Sequence, residues 1–161
     1  MVSFLRRSML FLPGDNPRFL AKALGSEADG LILDLEDAVS PLQKPSARLS
    51  VAQALRDAGF GAKEKVVRIN ALSTPYGREE VETIVPARPH TLMVPKVNGI
   101  QEVQEVDDIV AGVEKAHGLP VGEVGLVLLI ETPLGVINAE SIAMSSPRVM
   151  GLAFGSGDYT V

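Results

Sequence analysis

Charged and amide side chains follow apolar runs again and again in this sequence of 161 residues. Asp34, Glu36 and Asp37 close "GLILDLED", Arg68 and Asn70 close "VVRIN", and Lys96 stands in "MVPKV". Glu131 ends "LVLLIE", and Asp158 lies in "GSGDY". The set is rich in carboxylates, holds two cations and contains no histidine. Oxygen ligands without imidazole or thiolate suit a hard divalent cation, Mg²⁺ or Mn²⁺, and argue against zinc. Such an ion, held by two carboxylates, keeps positions for water and for substrate oxygens. It can polarise a carbonyl and hold an α-keto acid through its carboxylate and keto oxygens. The fork of Arg68 suits a substrate carboxylate or an oxygen that gains charge during reaction.

Each of these residues also has a plainer role open to it. A carboxylate before Thr132-Pro133 can serve the N-terminus of the following helix. Asp37 can cap a turn, Arg68 can pair with Asp34 or Glu36, and Lys96 can be a solvated charge at a strand end. Gly155 and Gly157 make a weak phosphate signal and more simply let the backbone approach a ligand. His90, in a proline-flanked loop, and His117, at a helix C-terminus, read as surface residues.

The elements that would position these groups are legible in the apolar pattern. "SMLFL", "GLILDLE", "KVVRIN", "TLMVPKV", "VGLVLLIE" and "VMGLAF" read as strands. Most are apolar on both faces, as parallel strands covered on both sides are. Between Gly99 and Gly118, Ile100, Val103, Val106, Val110 and Val113 recur at helical spacing, with acids in the first turns and Lys115 and His117 near the end. Asn16-Pro17, Ser40-Pro41, Thr74-Pro75 and Thr132-Pro133 each pair an N-cap residue type with proline, and each predicts a helix start. Successive βα units with right-handed crossovers follow, in a single α/β domain over residues 1–161. Six strands fit either a doubly wound open sheet or a (β/α)₈ barrel of which about six units are present. In both, ligands bind at the carboxyl ends of the strands.

Composition sets the outer limits. There are 20 acidic against 15 basic residues, so a nucleic-acid partner, which favours a basic face, is not expected. The apolar runs are too short to cross a bilayer, and Arg6-Arg7 before "SMLFL" lacks the small-residue cleavage site of a signal peptide. With no cysteine, disulfides, thiolate metal sites and a cysteine nucleophile are excluded, and a reducing, cytoplasmic setting fits.

The stretches "RRSMLFLPGDNPRFLAKAL", "ADGLILDLEDAVSPLQKPSAR", "VVRINAL", "LMVPKV", "LLIETPLGVINAESIA" and "GLAFGSGDYT" resemble the citrate lyase beta-subunit-like family. That group comprises Mg²⁺-dependent citryl-CoA, malyl-CoA and citramalyl-CoA lyases. The likeness runs over nearly the whole chain, and "LDLEDAV" with "IET" and "GxxDY" is a specific combination. It implies a TIM-type barrel whose Mg²⁺ is held by Glu131 and Asp158, with Arg68 contacting substrate and steadying a thioester enolate. Asp34, Glu36 and Asp37 would then order metal-bound water and Arg68. Arg7 matches a family position near the acyl-CoA, and backbone N–H groups around Gly157 and Asp158 match a keto-acid carboxylate site.

The implied activity is carbon–carbon cleavage of a carboxylated 3-hydroxyacyl-CoA to acetyl-CoA, or a close relative, and a keto acid. Thioester hydrolysis, condensation in the reverse sense, and a non-catalytic role in a lyase complex remain the alternatives. The resemblance also implies a trimeric or hexameric homo-oligomer. Family members continue with two more strands and a segment that carries the acidic general acid/base. This chain is therefore expected to be a piece of a longer enzyme, inactive alone, with its first and sixth strands as association-prone edges.

Overall fold

Every residue of the strand Gly30–Asp34 is buried, as a run flanked by neighbours on both sides and covered on both faces must be. The computed structural model describes residues 4–159. Its strands are β1 (Met9–Pro13), β2 (Gly30–Asp34), β3 (Glu64–Arg68), β4 (Thr91–Val94), β5 (Gly125–Ile130) and β6 (Val149–Phe154). All pair in parallel, in the order β1-β2-β3-β4-β5-β6. Sequential order decides between the two expected architectures. A doubly wound sheet reverses direction at a switch point, whereas this sheet never reverses and so winds as a barrel does.

The helices are α1 (Pro17–Leu24), α2 (Lys44–Asp57), α3 (Gly77–Ile84), α4 (Ile100–Ala116), α5 (Pro133–Ile137), α6 (Ala139–Ala143) and α7 (Ser156–Tyr159), with a 3₁₀ turn at Val85–Ala87. Leu31, Leu33, Val67, Leu92, Leu126 and Leu128 point outward from the strands. They join Ala47, Val51, Val81, Val103, Val106 and Val110 of the helices in one large core. The alternate strand residues Ile32, Val66, Met93 and Val127 form a second, smaller cluster with Met9 and Ala153. This inner face is concave, and residues of all six strands line a cavity of about 370 Å³. At the amino ends of the strands Arg6 closes it. Its guanidinium donates twice at 2.7 Å to Glu64, a fully buried carboxylate that also accepts from Thr91.

The proline signals divide. Asn16 caps α1 by accepting from the Arg18 N–H at 3.1 Å, and Thr132 caps α5 by accepting from the Gly135 N–H at 3.0 Å. Ser40-Pro41 and Thr74-Pro75 instead lie in turns, and α2 and α3 begin only at Lys44 and Gly77. The chain needs those extra residues to pass over the rim before descending. The helix expected between Gly99 and Gly118 is α4, begun by Gly99 and ended by Gly118 at φ +67°.

Asn70, expected at the mouth, is drawn sideways. Its backbone N–H and its Nδ2 each donate at 2.7 Å to the two oxygens of buried Glu80 on α3. Both oxygens act as acceptors, so Glu80→Gln places an amide N–H against a donor. We expect a loss of about 1–3 kcal/mol, the scale of one unsatisfied buried polar group, read as a lower urea midpoint at unchanged slope.

Candidate metal centre at the strand carboxyl ends

Alternation along the strands carries the inner face up to a charged rim. Two residues past Ile32 stands Asp34, two past Val66 stands Arg68, and four past Val127 stands Glu131. Register sets Asp34 directly beside Arg68. Arg68 donates from Nε to Asp34 Oδ1 at 2.8 Å and from Nη2 to Oδ2 at 2.6 Å. Its Nη1 lies 3.0 Å from Glu36 and 3.3 Å from Asp37, and the guanidinium sits 5.2 Å from the Phe11 ring centroid. Burial works against the Arg68 charge, but Asp34, Glu36 and Asp37 together raise its pKa. Asp34 also accepts from the N–H groups of Glu36 and Ala38, which ties the acidic loop to the pair. Beneath that loop, Lys44 donates to the carbonyls of Leu35 and Glu36 at 2.8 and 2.7 Å.

Across the mouth, Glu131 is 3 % exposed and accepts from the Lys96 N–H at 2.7 Å. Lys96 sits in the left-handed region at φ +54°, and its Nζ lies 3.1 Å from Glu36 Oε1 and 3.2 Å from Asp158 Oδ2. Gly155 flanks Glu131 so closely that a Cβ there would fall 2.6 Å from Glu131 Oε2. Glycine is required at that position to leave the carboxylate room. Burial pushes up the pKa of Glu131, and so do Glu36 and Asp158, while the Lys96 amide opposes the shift. Glu36 is raised for the same first reason, burial, against the pull of Arg68 and Lys96.

These residues fit a hard divalent ion. The Glu36 Oε2 atom is buried and accepts no hydrogen bond, since the nearby Arg68 Nη1 at 3.0 Å is not aligned to donate. Glu131 is strained by its acidic neighbours in the way that a cation would relieve. Among the described residues no three His, Cys, Asp or Glu side chains form a ligand set. Glu131 and Asp158 could supply two carboxylates to such an ion, with water and substrate filling the remaining positions, as Mg²⁺ allows.

Comparison with known proteins identifies the family. The model for the HpcH/HpaI aldolase/citrate lyase family matches residues 7–161. The chain belongs to the HpcH/HpaI aldolase/citrate lyase family. It is similar to citrate lyase subunit beta of Leuconostoc mesenteroides subsp. cremoris, 41% identical over 97% of this chain and 52% of that one. It is 36% identical to the L-malyl-CoA/beta-methylmalyl-CoA lyase of Rhodobacter capsulatus, over 96% of this chain and 49% of the relative. Among solved structures, the citrate lyase beta subunit of Mycobacterium tuberculosis complexed with oxaloacetate and magnesium superimposes with a TM-score of 0.72. That match has 33% identity and covers 95% of this chain and 60% of the other. The chain spans about half the length of the curated relatives it matches.

For this member of the family, the structure gathers Asp34, Glu36, Asp37, Arg68, Glu131 and Asp158 at one mouth, with Gly157 on the short helix α7 beside them. Arg7 is not among them. It precedes β1 and grips Asp29, just before β2, with Nε at 3.1 Å and Nη2 at 2.7 Å. That is the amino end of the strands, about 15 Å from the rim at ~3.3 Å per strand residue. His90 is not simply a surface residue either. It is partly buried, its Nδ1 accepts from the Lys65 N–H at 3.0 Å, and its ring lies 4.6 Å from that of Phe4. Lys96, expected among the strand-end charges with a solvated role as its plainer alternative, pairs at the rim with Glu36 and Asp158. Lys44 is the one supporting residue with no sequence signal, because its contacts to the Leu35 and Glu36 carbonyls depend on how the intervening loop folds back.

The Arg7–Asp29 pair makes a pH-dependent test. Arg7 donates to Asp29 and depresses its pKa to about 2. A depressed acid contributes stability above its unfolded pKa of about 4 and loses it as pH falls through the folded value. Asp29→Asn is expected to lower the melting temperature at pH 7, with the difference from wild type shrinking steadily between pH about 4 and about 2. A difference that is constant over that range would show that the pair contributes nothing through charge.

Proposed function

We propose that the protein is a Mg²⁺-dependent carbon–carbon lyase acting on a carboxylated 3-hydroxyacyl-CoA of the citryl-, malyl- or citramalyl-CoA type. Its products are acetyl-CoA, or a close relative, and a keto acid. The observation that carries this reading is the meeting of Glu131, Asp158 and Arg68 at one mouth, in a chain whose relatives include citrate lyase beta subunit and malyl-CoA lyase. Glu131 and Asp158 would hold the ion. When bound, it supplies a positive charge for the keto-acid carboxylate and for the hydroxyl oxygen that becomes the ketone.

The chain's own residues do the rest. The Asp34 clamp fixes the Arg68 plane, which leaves Nη1, the nitrogen between Glu36 and the half-exposed Asp37, to face substrate. There it would steady the thioester oxygen as the C–C bond breaks and negative charge moves onto it. Glu36 and Asp37 orient that nitrogen and would help order water around a bound ion. At Gly157 an added Cβ would meet no heavy atom within 4 Å, which supports approach of a substrate carboxylate to the backbone there. The hydroxyl proton leaves to a carboxylate that the family resemblance assigns to a segment beyond this sequence. The same resemblance supports a homo-oligomer, trimeric or hexameric. The lack of cysteine supports a reducing, cytoplasmic setting, and among the described residues no helix is long and apolar enough to cross a membrane.

The test is product analysis on acyl-CoA substrates with the intact protein. Mg²⁺-dependent release of a keto acid together with an acyl-CoA is expected. Glu131→Gln and Asp158→Asn should each cut the rate by about 10²-fold or more, the scale of losing one stabiliser of developing charge. Free CoA without a keto acid would instead identify a thioesterase. Turnover indifferent to both substitutions would refute the site.

A further inference from the structure

We propose that Lys96 is a tethered cation that competes with the divalent ion for Asp158, so that metal uptake transfers Asp158 from the ammonium to the ion. The inference rests on the metal site proposed above. It assigns to Lys96 a positioning and tuning role rather than contact with the reacting atoms.

Lys96 meets three rim carboxylates at once. Its N–H donates to Glu131 Oε1 at 2.7 Å, and its Nζ bridges Glu36 Oε1 at 3.1 Å and Asp158 Oδ2 at 3.2 Å. The backbone is strained to achieve this. A lysine at φ +54° occupies the left-handed region, which residues with a Cβ rarely adopt. Neighbouring elements hold the turn. Asn98 donates from Nδ2 to the Lys96 carbonyl at 3.0 Å, Thr132 donates to Asn98 Oδ1, and Asn138 donates to the Asn98 carbonyl at 2.8 Å. The strained turn and its supports thus aim both the amide and the ammonium at the metal-site acids.

Charge explains what the ammonium does there. Five carboxylates (Asp34, Glu36, Asp37, Glu131 and Asp158) meet two cations (Arg68 and Lys96) at the rim, so the acids outnumber the cations by three and the mouth favours a further cation. The ammonium can stay on Glu36 when an ion arrives. It cannot stay 3.2 Å from Asp158 Oδ2 while a dication sits on that carboxylate without strong repulsion. Room to withdraw exists. The Lys96 side chain is 45 % exposed on a flexible four-carbon stem, beside a cavity of about 450 Å³ lined by Ser73, Thr74, Asn98 and Glu102. In the metal-free protein the same ammonium keeps Asp158 and Glu36 from driving each other apart.

The experiment is Mn²⁺ titration followed by electron paramagnetic resonance of the free ion, with Mg²⁺ calorimetry beside it. It compares wild type, Lys96→Met, Lys96→Gln, Lys96→Arg and Glu131→Gln. Methionine and glutamine keep the backbone N–H on Glu131 and remove the charge. Both should bind Mn²⁺ roughly two- to fivefold more tightly, the scale of one half-exposed ion pair, while arginine stays close to wild type. Glu131→Gln should abolish binding in either background. Equal or weaker binding by folded Lys96→Met and Lys96→Gln, with the Glu131 dependence intact, overturns the role of Lys96 alone. Absence of Mn²⁺ binding by wild type, or binding indifferent to Glu131→Gln, overturns the metal site and the lysine exchange together. Melting curves in chelator confirm which variants are folded, and with two neutral variants the comparison survives the loss of one.

Discussion

Carboxylates held together at one rim repel one another, and everything around this mouth answers that repulsion. Asp34, Glu36 and Glu131 are all nearly buried, and Asp37 and Asp158 stand beside them. Isolated charges so placed would take up protons instead of staying ionised. Arg68 neutralises the β2 side through a two-point contact with Asp34 that the parallel register makes unavoidable. Lys96 pairs with Glu36 and Asp158 on the β4–β5 side, and the surplus of acids over cations is the basis of the proposed divalent site. Function and strain therefore have one source. The pKa of Glu131 is raised because burial and its acidic neighbours resist the charge that a metal would use.

The scaffold permits this because its two faces have different duties. The outward faces of the strands pack on helices α2, α3 and α4 in a continuous apolar core, which supplies the main hydrophobic stabilisation. The inner face needs only a thin apolar layer, Ile32, Val66, Met93 and Val127, before polar chemistry begins two to four residues further up. Its lower end is sealed by Arg6 on Glu64, a pair matched in charge and geometry and remote from the mouth. Charges at the two ends of one sheet so serve opposite purposes. The lower pair is balanced and structural, and the upper group is deliberately unbalanced. β1 and β6 each pair on one side only in the described sheet, and Phe11 and Phe154 on them are substantially exposed.

Much of this was legible in the sequence because strand signals are local. Each of the six apolar runs overlaps a strand, and the polar residue that ends a run lands at the rim because alternation leaves it no other face. The long helix was equally plain, since Ile100, Val103, Val106 and Val110 repeat with the turn and glycines bound it. What failed depended on distant partners. Ser40-Pro41 has the composition of a cap, but the loop above the rim must first satisfy Lys44 and the Leu35 carbonyl. Arg7, expected near the acyl-CoA, lies instead at the amino end of the strands, paired with Asp29. Asn70 pointed to the mouth by position, yet Glu80 on α3 offered it two acceptors. His90 had no local sign that its ring would accept a hydrogen bond from the β3 backbone. The order β1 to β6 likewise became decidable only when pairing was known, because the strand pattern alone suits a barrel and a doubly wound sheet equally.

The central claim is that unbalanced negative charge between Glu131 and Asp158 exists to hold one divalent ion. The most direct measurement is anomalous diffraction at the manganese edge from crystals of the protein grown with Mn²⁺. One strong peak within bonding distance of a Glu131 oxygen and an Asp158 oxygen is expected, with the Lys96 ammonium displaced from Asp158. A map with no peak at the mouth, or with the ion bound elsewhere while Lys96 still bridges Glu36 and Asp158, would contradict the account.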